Sequence, residues 1–320
     1  MSKYVVYDCD MGLDDAWGLL LLLRSNICPK VEVLAVTCNF GNTSVDFVAS
    51  NVFRMLKAMD SLHIPVYLGS SEPILPSLRE DIGYYGKDGF GDIYEKIDTS
   101  ALVQPIHAAN AMYSIAKKHP KEVTFVCVGP LTNLAICLLL YPDFVDIVNN
   151  FAIMGGNYTV DVNSYTGNSA DWNFFSDPEA AHIVLNRARS KILILPSEAC
   201  NSENFTIDVD WRLNGPLKSV NTEVLDILNE AETAVLMKHN EVNWAPADAI
   251  LVATFLYPSE MILKQKDYHG NVELKGDRTR GQMILDRIPS DRPENVKCIK
   301  LVNRDFFKNL VLAAANNTLS

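Results

Sequence analysis

Four carboxylates follow a short apolar run near the start of the chain, and their spacing could hold a metal ion. They are Asp8, Asp10, Asp14 and Asp15, four acids within eight residues. At neutral pH these acids repel one another, and a bound cation removes the repulsion. Hard carboxylate oxygens favour calcium or magnesium over zinc. Capping of a following helix would explain one or two of the acids, but not four. The cluster therefore predicts a metal or catalytic site.

Further polar groups follow later apolar runs in the same way. Residues 37–42, 129–133 and 155–173 each begin where such a run ends. In an open parallel sheet, ligands bind beyond the carboxyl ends of the strands. Since four apolar runs end in polar groups, we expect these groups to surround one crevice.

The elements that must position these groups alternate along the chain. Runs rich in β-branched residues predict strands at 4–9, 31–38, 65–68, 123–128, 150–154 and 191–195. Between and after them, helical patterns span 14–25, 44–60, 108–119, 132–140, 177–188, 222–240, 246–256 and 304–316. Late short strands are predicted at 262–265, 271–274 and 297–301. This order predicts an α/β fold, with a mainly parallel, doubly wound sheet covered by helices on both faces. Additional helices and short strands follow at the C-terminal end.

The segment 70–99 is rich in glycines, acids and aromatic residues and carries no periodic pattern. Long loops in compact domains are often lids over a site. We therefore expect a mobile loop beside the crevice.

Composition narrows the classes of protein that the chain can belong to. Its 320 residues are 48% hydrophobic and show no linker. Both features favour a single domain that spans residues 1–320. The net charge of −11 argues against nucleic-acid or anionic-membrane partners and favours a small ligand or a metal. The seven cysteines are scattered, without a CxxC pair, and the N-terminus lacks the pattern of a signal peptide. These features predict a cytoplasmic protein.

Several segments together resemble one known family, the inosine-uridine preferring nucleoside hydrolases. VVYDCDMGLDDA (5–16) is similar to its signature DxDPGxDDA, with Met11 where proline is usual. The other similar segments, in chain order, are VTCNFGN (36–42), VYLGSSEPIL (66–75), GKDGFGD (86–92), VGPLTNLA (128–135), IMGGN (153–157), ADWNFFSDPEAA (170–181) and PADAI (246–250). The resemblance covers at least residues 4–256 and implies calcium-dependent hydrolysis of the N-glycosidic bond of ribonucleosides. It also implies a homo-oligomer, a dimer or a tetramer.

The resemblance assigns roles to matched positions. It implies that the metal ligands are the side chains of Asp10, Asp15 and Asp248 and the backbone carbonyl of Val128. Asp10 would also be the general base on the attacking water. Ribose would be bound by Asp14, Asn42, Asn168, Asp171 and Asn173, with Asp171 standing where the family has a glutamate. Asn163 is the alternative to Asn168.

Two positions depart from the family pattern. Ala247 and Tyr85 stand where histidines that could protonate the leaving base are common. Aromatic stacking could replace that function, and Tyr85 and Trp244 are the candidates, although both could instead belong to the core. A homologue that binds nucleoside and metal without turnover therefore stays an alternative. A second alternative is a phosphatase resembling the haloacid dehalogenases, whose first motif is also Asp-x-Asp after a strand.

Two further polar residues have a structural interpretation. Asp177 is expected to cap the helix that begins at Pro178. Asn51 is interpreted as a surface residue of its helix.

Overall fold

The computed structural model describes residues 4–24, 31–76, 83–159, 170–189, 191–200, 205–288 and 291–316. Its strands are β1 Tyr4–Cys9, β2 Glu32–Cys38, β3 Val66–Leu68, β4 Val123–Cys127, β5 Asn150–Met154, β6 Ile192–Leu195, β7 Ile262–Tyr268, β8 Gly270–Val272, β9 Met283–Leu285 and β10 Val296–Val302. Its helices are α1 Leu13–Leu23, α2 Val45–Ala58, α3 Ala108–Lys118, α4 Thr132–Leu140, α5 Phe144–Ile147, α6 Trp172–Ser176, α7 Pro178–Arg187, α8 Ser197–Cys200, α9 Val209–Leu213, α10 Glu223–Lys238, α11 Ala247–Leu256, α12 Pro258–Met261 and α13 Arg304–Asn316, with a 3₁₀ turn at Pro216–Ser219.

Eight strands form one sheet in the order β3-β2-β1-β4-β5-β6-β10-β7. All neighbours pair in parallel except β10 and β7, which are antiparallel. The chain runs outward in one direction from β1 to β3 and in the other from β4 to β6. The strand order therefore reverses between β1 and β4, and ligands bind at such a reversal, beyond the carboxyl ends of the strands.

Both faces of the sheet are covered, as the alternation along β1 illustrates. Val5 and Tyr7 belong to one buried apolar cluster, whereas Val6 belongs to the other, and all three are fully buried. The first cluster includes α1, α10, α11 and α13, and the second includes α3, α4 and α7. The predicted fold class, a mainly parallel and doubly wound α/β sheet, is confirmed.

The predicted elements agree closely with the structure, and the disagreements concern short elements. The strand Met283–Leu285 was not predicted; it pairs antiparallel with Gly270–Val272, which overlaps the strand predicted at 271–274. The short helices α5, α6, α8, α9 and α12 were also missed, because one turn of helix carries no periodic signal. Within the described ranges, no helix has the length and apolarity needed to cross a bilayer.

Candidate active site

The acidic cluster lies where β1 gives way to α1. Asp15 sits in the first turn of α1, where its two carboxylate oxygens accept hydrogen bonds from the backbone amides of Asp10, at 3.2 Å, and Gly12, at 2.8 Å. The turn between them is tight, and Met11 adopts a left-handed φ of 34°. That conformation is unusual for a residue with a side chain. The sequence DCDMGLDD thus folds back so that Asp10, Asp14 and Asp15 lie close together.

Two glycines leave room for the carboxylate of Asp10. A side chain at Gly41 would collide with this carboxylate, and a Cβ at Gly129 would lie 2.9 Å from its Oδ1. The backbone amide of Asn42 donates to Oδ2 of Asp10 at 2.7 Å. The ends of β1, β2 and β4 therefore meet around Asp10, as the positions of the polar segments predicted.

Asp248 reaches the same cluster from the first turn of α11. Carboxylate oxygens of Asp14, Asp15 and Asp248 lie within 4.8 Å of one another, close enough to share a cation. This group contains Asp15 and Asp248, two of the three expected acidic ligands. Its third member is Asp14, whereas Asp10 was expected. Asp10 lies close to this group, since its charge contributes to raising the pKa of both Asp15 and Asp248.

The electrostatics of the cluster favour a bound cation. Burial raises the pKa of Asp14, and it raises the pKa of Asp15 and Asp248 well above the usual range. The neighbouring carboxylates add to the rise at Asp15 and Asp248. Ionised acids in such a place repel each other, and a divalent ion would lower all of these pKa values. The all-oxygen donor set suits a hard cation such as calcium.

Asn173 and Val128 are in contact on the β4 side of the site. The side-chain amide of Asn173 donates to the carbonyl of Val128 at 2.8 Å and to the carbonyl of Met154 at 3.2 Å. The amide of Asn42 points to Asp15 from the other side, at 3.4 Å. The structure thus brings Asn173 to the carbonyl of Val128, and Asn42 to the acidic cluster.

Asp171 and Asp177 both cap helices. Oδ1 of Asp171 accepts from the backbone amides of Gly156, at 2.7 Å, and Phe174, at 3.1 Å. Burial raises the pKa of Asp171 to about 6. Asp177 caps α7 through the amide of Ala180, as predicted.

Asp177 also joins other segments. Its second oxygen accepts from the hydroxyl of Thr132, at 2.7 Å, and from the amide of Ile74, at 2.9 Å. Its role in the structure is therefore wider than capping. Asn168 and Asn163 lie outside the described residues.

A hydrogen-bond network beneath the acids was missed by the sequence analysis. Oδ1 of Asp8 accepts from Thr37, at 2.7 Å, and from the amide of Asn133, at 2.9 Å. Among the described residues Oδ2 of Asp8 has no hydrogen-bond partner, and burial raises the pKa of this carboxyl to about 7. Asn133 also accepts from the amide of Ser70. Asp8 thus joins β1, β2 and α4 instead of facing the other acids.

Tyr85 and Trp244 line one cavity of about 50 Å³ together with Asp14. The hydroxyl of Tyr85 donates to Asp14 at 2.9 Å. Trp244 is only 3% exposed and packs against Trp17, so most of its surface belongs to the core. Ala247, 9% exposed, begins α11 beside this cavity and offers no proton donor.

The described part of the loop 70–99 contains no helix or strand, as predicted, but it is anchored to the core. The buried Asp88 accepts hydrogen bonds from the amides of Phe90, Asp92 and Tyr94. Asn51 donates to the carbonyl of Asp88 at 2.7 Å and is 1% exposed. The interpretation of Asn51 as a surface residue was therefore wrong, because the loop covers that face of α2.

Tyr84, in the described part of this loop, packs on the end of α10. The ring of Tyr84 stacks on His239 with ring centroids 4.5 Å apart, and His239 hydrogen-bonds to the carbonyl of Tyr84. Tyr84 and Tyr85 are also in edge-to-face contact. The loop is thereby positioned over Asp14.

Comparisons with known proteins agree on one class. The sequence profile of the inosine-uridine preferring nucleoside hydrolase family matches residues 5–309. The inosine-uridine preferring nucleoside hydrolase of Leishmania major is 29% identical over 313 residues, covering 96% of this chain and 95% of that protein. A pyrimidine-specific ribonucleoside hydrolase of Photobacterium profundum is 27% identical over 325 residues, covering 97% and 98%. The solved structure of an inosine-guanosine nucleoside hydrolase superposes with a TM-score of 0.87 at 25% identity, covering 98% of this chain and 99% of that one.

The fold and these comparisons define an enzyme of the nucleoside hydrolase class. The chain belongs to the inosine-uridine preferring nucleoside hydrolase family. The alternative of a phosphatase resembling the haloacid dehalogenases is therefore wrong. The relatives' names cite different bases, so they do not fix the base that this chain prefers.

Proposed function

We propose that the chain hydrolyses the N-glycosidic bond of ribonucleosides to free base and ribose, with calcium as its cofactor and Asp10 as general base. The observation that carries this proposal is the convergence of Asp10, Asp14, Asp15 and Asp248 at the reversal of strand order. Water bonds to C1′ as the C1′–N bond breaks, and the bond's electron pair leaves with the base. Positive charge develops on the ribose in this kind of transition state, and nearby carboxylates stabilise it.

The proposed metal ligands are Asp10, Asp15, Asp248 and the carbonyl of Val128. When bound, calcium would lower the pKa of the attacking water and chelate the ribose diol. Asp14 is proposed to bind a ribose hydroxyl, although its distance to Asp15 and Asp248 also suits a ligand. Comparing the calcium affinity of variants at Asp10 and at Asp14 would show which of the two acids binds the metal.

Asp10 has the surroundings that a fixed general base requires. Its Oδ2 accepts a hydrogen bond from the backbone amide of Asn42, and the absence of side chains at Gly41 and Gly129 leaves room for the carboxylate between them. A base held in place transfers a proton without first paying for reorientation. The proton from the water passes to Asp10 as the C1′–O bond forms.

Recognition of the sugar and the base is proposed to involve both sides of the crevice. Asn42, Asn173, Asp171 and Asn168 would bind ribose hydroxyls beside Asp14. Tyr85 supplies an aromatic face next to Asp14, and Trp244 would contribute the edge that its packing leaves uncovered. Because position 247 is an alanine, we propose that the base leaves without being protonated by a histidine there.

One experiment tests the function. The purified protein is incubated with a panel of nucleosides and calcium, and free ribose is measured with and without a calcium chelator. Release of ribose that stops on chelation is expected. Nucleoside binding without ribose release would instead support the homologue that binds but does not turn over.

We also propose that the chain acts in the cytoplasm as a dimer or tetramer. The resemblance to the family supports the assembly, and the composition supports the compartment. Sedimentation of the purified protein would contradict the assembly if it gave a single species near 35.6 kDa.

A further inference from the structure

A buried carboxylate behind the acidic cluster binds two tryptophans at once. Oε1 of Glu232, on α10, accepts from the indole nitrogen of Trp17 at 3.0 Å and from that of Trp244 at 2.7 Å. The two rings meet edge to face with centroids 5.5 Å apart. Trp17 is fully buried, and Glu232 is 3% exposed. A single oxygen atom therefore fixes the separation of two large rings.

Each of these rings belongs to a segment that carries acids of the site. Trp17 lies on α1, two residues after Asp15. Trp244 lies four residues before Asp248, in the segment that leads into α11. Helices α1 and α11 pack against each other, and both bring carboxylates to the cluster. The position of Glu232 thus links the two halves of the proposed calcium site.

An ion pair completes the link. Nε of Arg212 lies 2.5 Å from Oε2 of Glu232 and is fully buried. The guanidinium also lies over the rings of Trp17, at 4.9 Å, and Trp244, at 5.7 Å. Removing one partner of a buried pair leaves an uncompensated charge, whereas replacing both is often tolerated.

The acids themselves oppose this arrangement. When ionised without a cation, the carboxylates of Asp14 and Asp15 on α1 repel that of Asp248 on α11, which favours separation of the two helix ends. The indole hydrogen bonds to Glu232 tie these two segments to the same carboxylate. Groups that orient the ligands of a metal commonly alter its affinity by about 10- to 100-fold.

We propose that Glu232 is a positioning residue, which sets the separation of the two acid-bearing helices through Trp17 and Trp244 and thereby the affinity for calcium. This inference rests on the calcium site of the proposed function. It assigns no contact with the substrate to Glu232.

The test compares two variants that differ in one acceptor. Arg212→Met with Glu232→Gln removes both charges but keeps a side-chain oxygen for the indoles. Arg212→Met with Glu232→Met has a similar volume and no such oxygen. Calcium binding is measured by titration calorimetry at a temperature where both variants are folded. We expect affinity near that of the wild type for the first and about 10- to 100-fold weaker binding for the second.

Single variants cover the case in which a double variant does not fold. Trp17→Phe and Trp244→Phe keep an aromatic ring and lose only the indole N–H. Each should weaken calcium binding in the otherwise unchanged protein, and neither should weaken it further when Glu232 is methionine. A second ion pair, Arg280 with Glu179, provides the matched control. Its replacement by methionine and glutamine should change thermal stability without changing calcium affinity.

The outcomes distinguish failure of the calcium site from failure of the role proposed for Glu232. A wild-type protein that binds no calcium overturns the calcium site and this inference with it. If the wild type binds calcium and every variant binds it equally tightly, this inference alone is overturned. Variants that only lose thermal stability, with unchanged calcium affinity, would show that Glu232 is merely structural.

Discussion

The hydroxyl of Tyr85 donates a 2.9 Å hydrogen bond to the carboxylate of Asp14. Asp14 is the residue proposed to bind a ribose hydroxyl, so the tyrosine satisfies the acceptor that the sugar would use. Substrate must therefore displace or share this bond. The contact joins the loop that carries Tyr85 to the acidic cluster.

Replacing the proposed metal ligand Asp248 should have opposite effects on calcium binding and on stability. In Asp248→Asn we expect calcium to bind about 100-fold more weakly or worse, because ligand loss exceeds the effect of losing an outer partner. The calcium-free variant should be more stable than the wild type at pH 8, since burial and the neighbouring acids raise the pKa of Asp248 and this cost is gone in the variant. Calorimetry and urea unfolding measure the two effects. Asp267→Asn, a change on the exposed part of β7, is the control.

Sugar recognition should require both ring hydroxyls. A 2′-deoxynucleoside leaves buried polar groups near Asp14 and Asn173 unpaired, at a cost of about 1–3 kcal/mol each. We expect kcat/KM for 2′-deoxyinosine to be about 100-fold below that for inosine. In Asp14→Asn this discrimination should shrink. Equal rates for the two substrates in the wild type would contradict the proposed ribose contacts.

Base preference should follow from the missing histidine. A purine can accept a proton at N7 and stack on an aromatic ring, whereas uracil gains less from either. We expect inosine to be cleaved faster than uridine, with kcat/KM as the measure. Ala247→His should raise the uridine value by about tenfold, a fraction of the full effect of a general acid.

Ala247→Gln, with similar bulk and no acid, serves as the control for that variant. A tyrosine hydroxyl could instead protonate the base, and Tyr85→Phe tests this directly. If Tyr85→Phe slowed both substrates by about 10²-fold, the tyrosine would be the acid. A wild-type enzyme that strongly prefers uridine would contradict the stacking interpretation.

The pH dependence of stability should reveal Asp171. Its pKa is about 6 in the fold against an ordinary value of 3.8. The folded protein therefore holds the proton more tightly than the unfolded chain, and this contribution is present below pH 4 and lost as pH rises through 6. The loss corresponds to about 3 kcal/mol. In Asp171→Asn, which keeps an oxygen for the amides of Gly156 and Phe174, that part of the decline should disappear.

Urea unfolding of both proteins between pH 4 and pH 8, without calcium, checks this expectation. A difference between wild type and variant that stays constant across the range would contradict the raised pKa. Asp177→Asn is a useful comparison, because Asp177 is a capping carboxylate with a pKa also raised by burial.

The sequence predicted most of the fold because its signals are local. The bounds of Tyr4–Cys9 and Asn150–Met154 agree with the structure, since each apolar run ends abruptly in polar or glycine residues. The strand Met283–Leu285 was missed because three residues between polar neighbours carry no readable alternation.

The same limit explains which parts of the site were found. The acids of β1 and α1 are adjacent in sequence, and the resemblance supplied Asp248. The partners of Glu232 lie 215, 20 and 12 residues away, at Trp17, Arg212 and Trp244. Such a contact depends on how three helices pack, which no local pattern records. Asn51 was misread for the same reason, because the carbonyl of Asp88 to which it donates lies on a loop 37 residues further along the chain.

The left-handed turn at Met11 has a consequence for engineering. Proline is usual at this position of the family signature, so design by consensus would restore it. Proline is confined to a φ near −65°, whereas Met11 has a φ of 34° and a fully buried side chain. The substitution would force the backbone between Asp10 and Gly12 to rearrange, and the acids on either side would move with it. Position 11 should be excluded from any thermostabilising library, even though the consensus favours a change there.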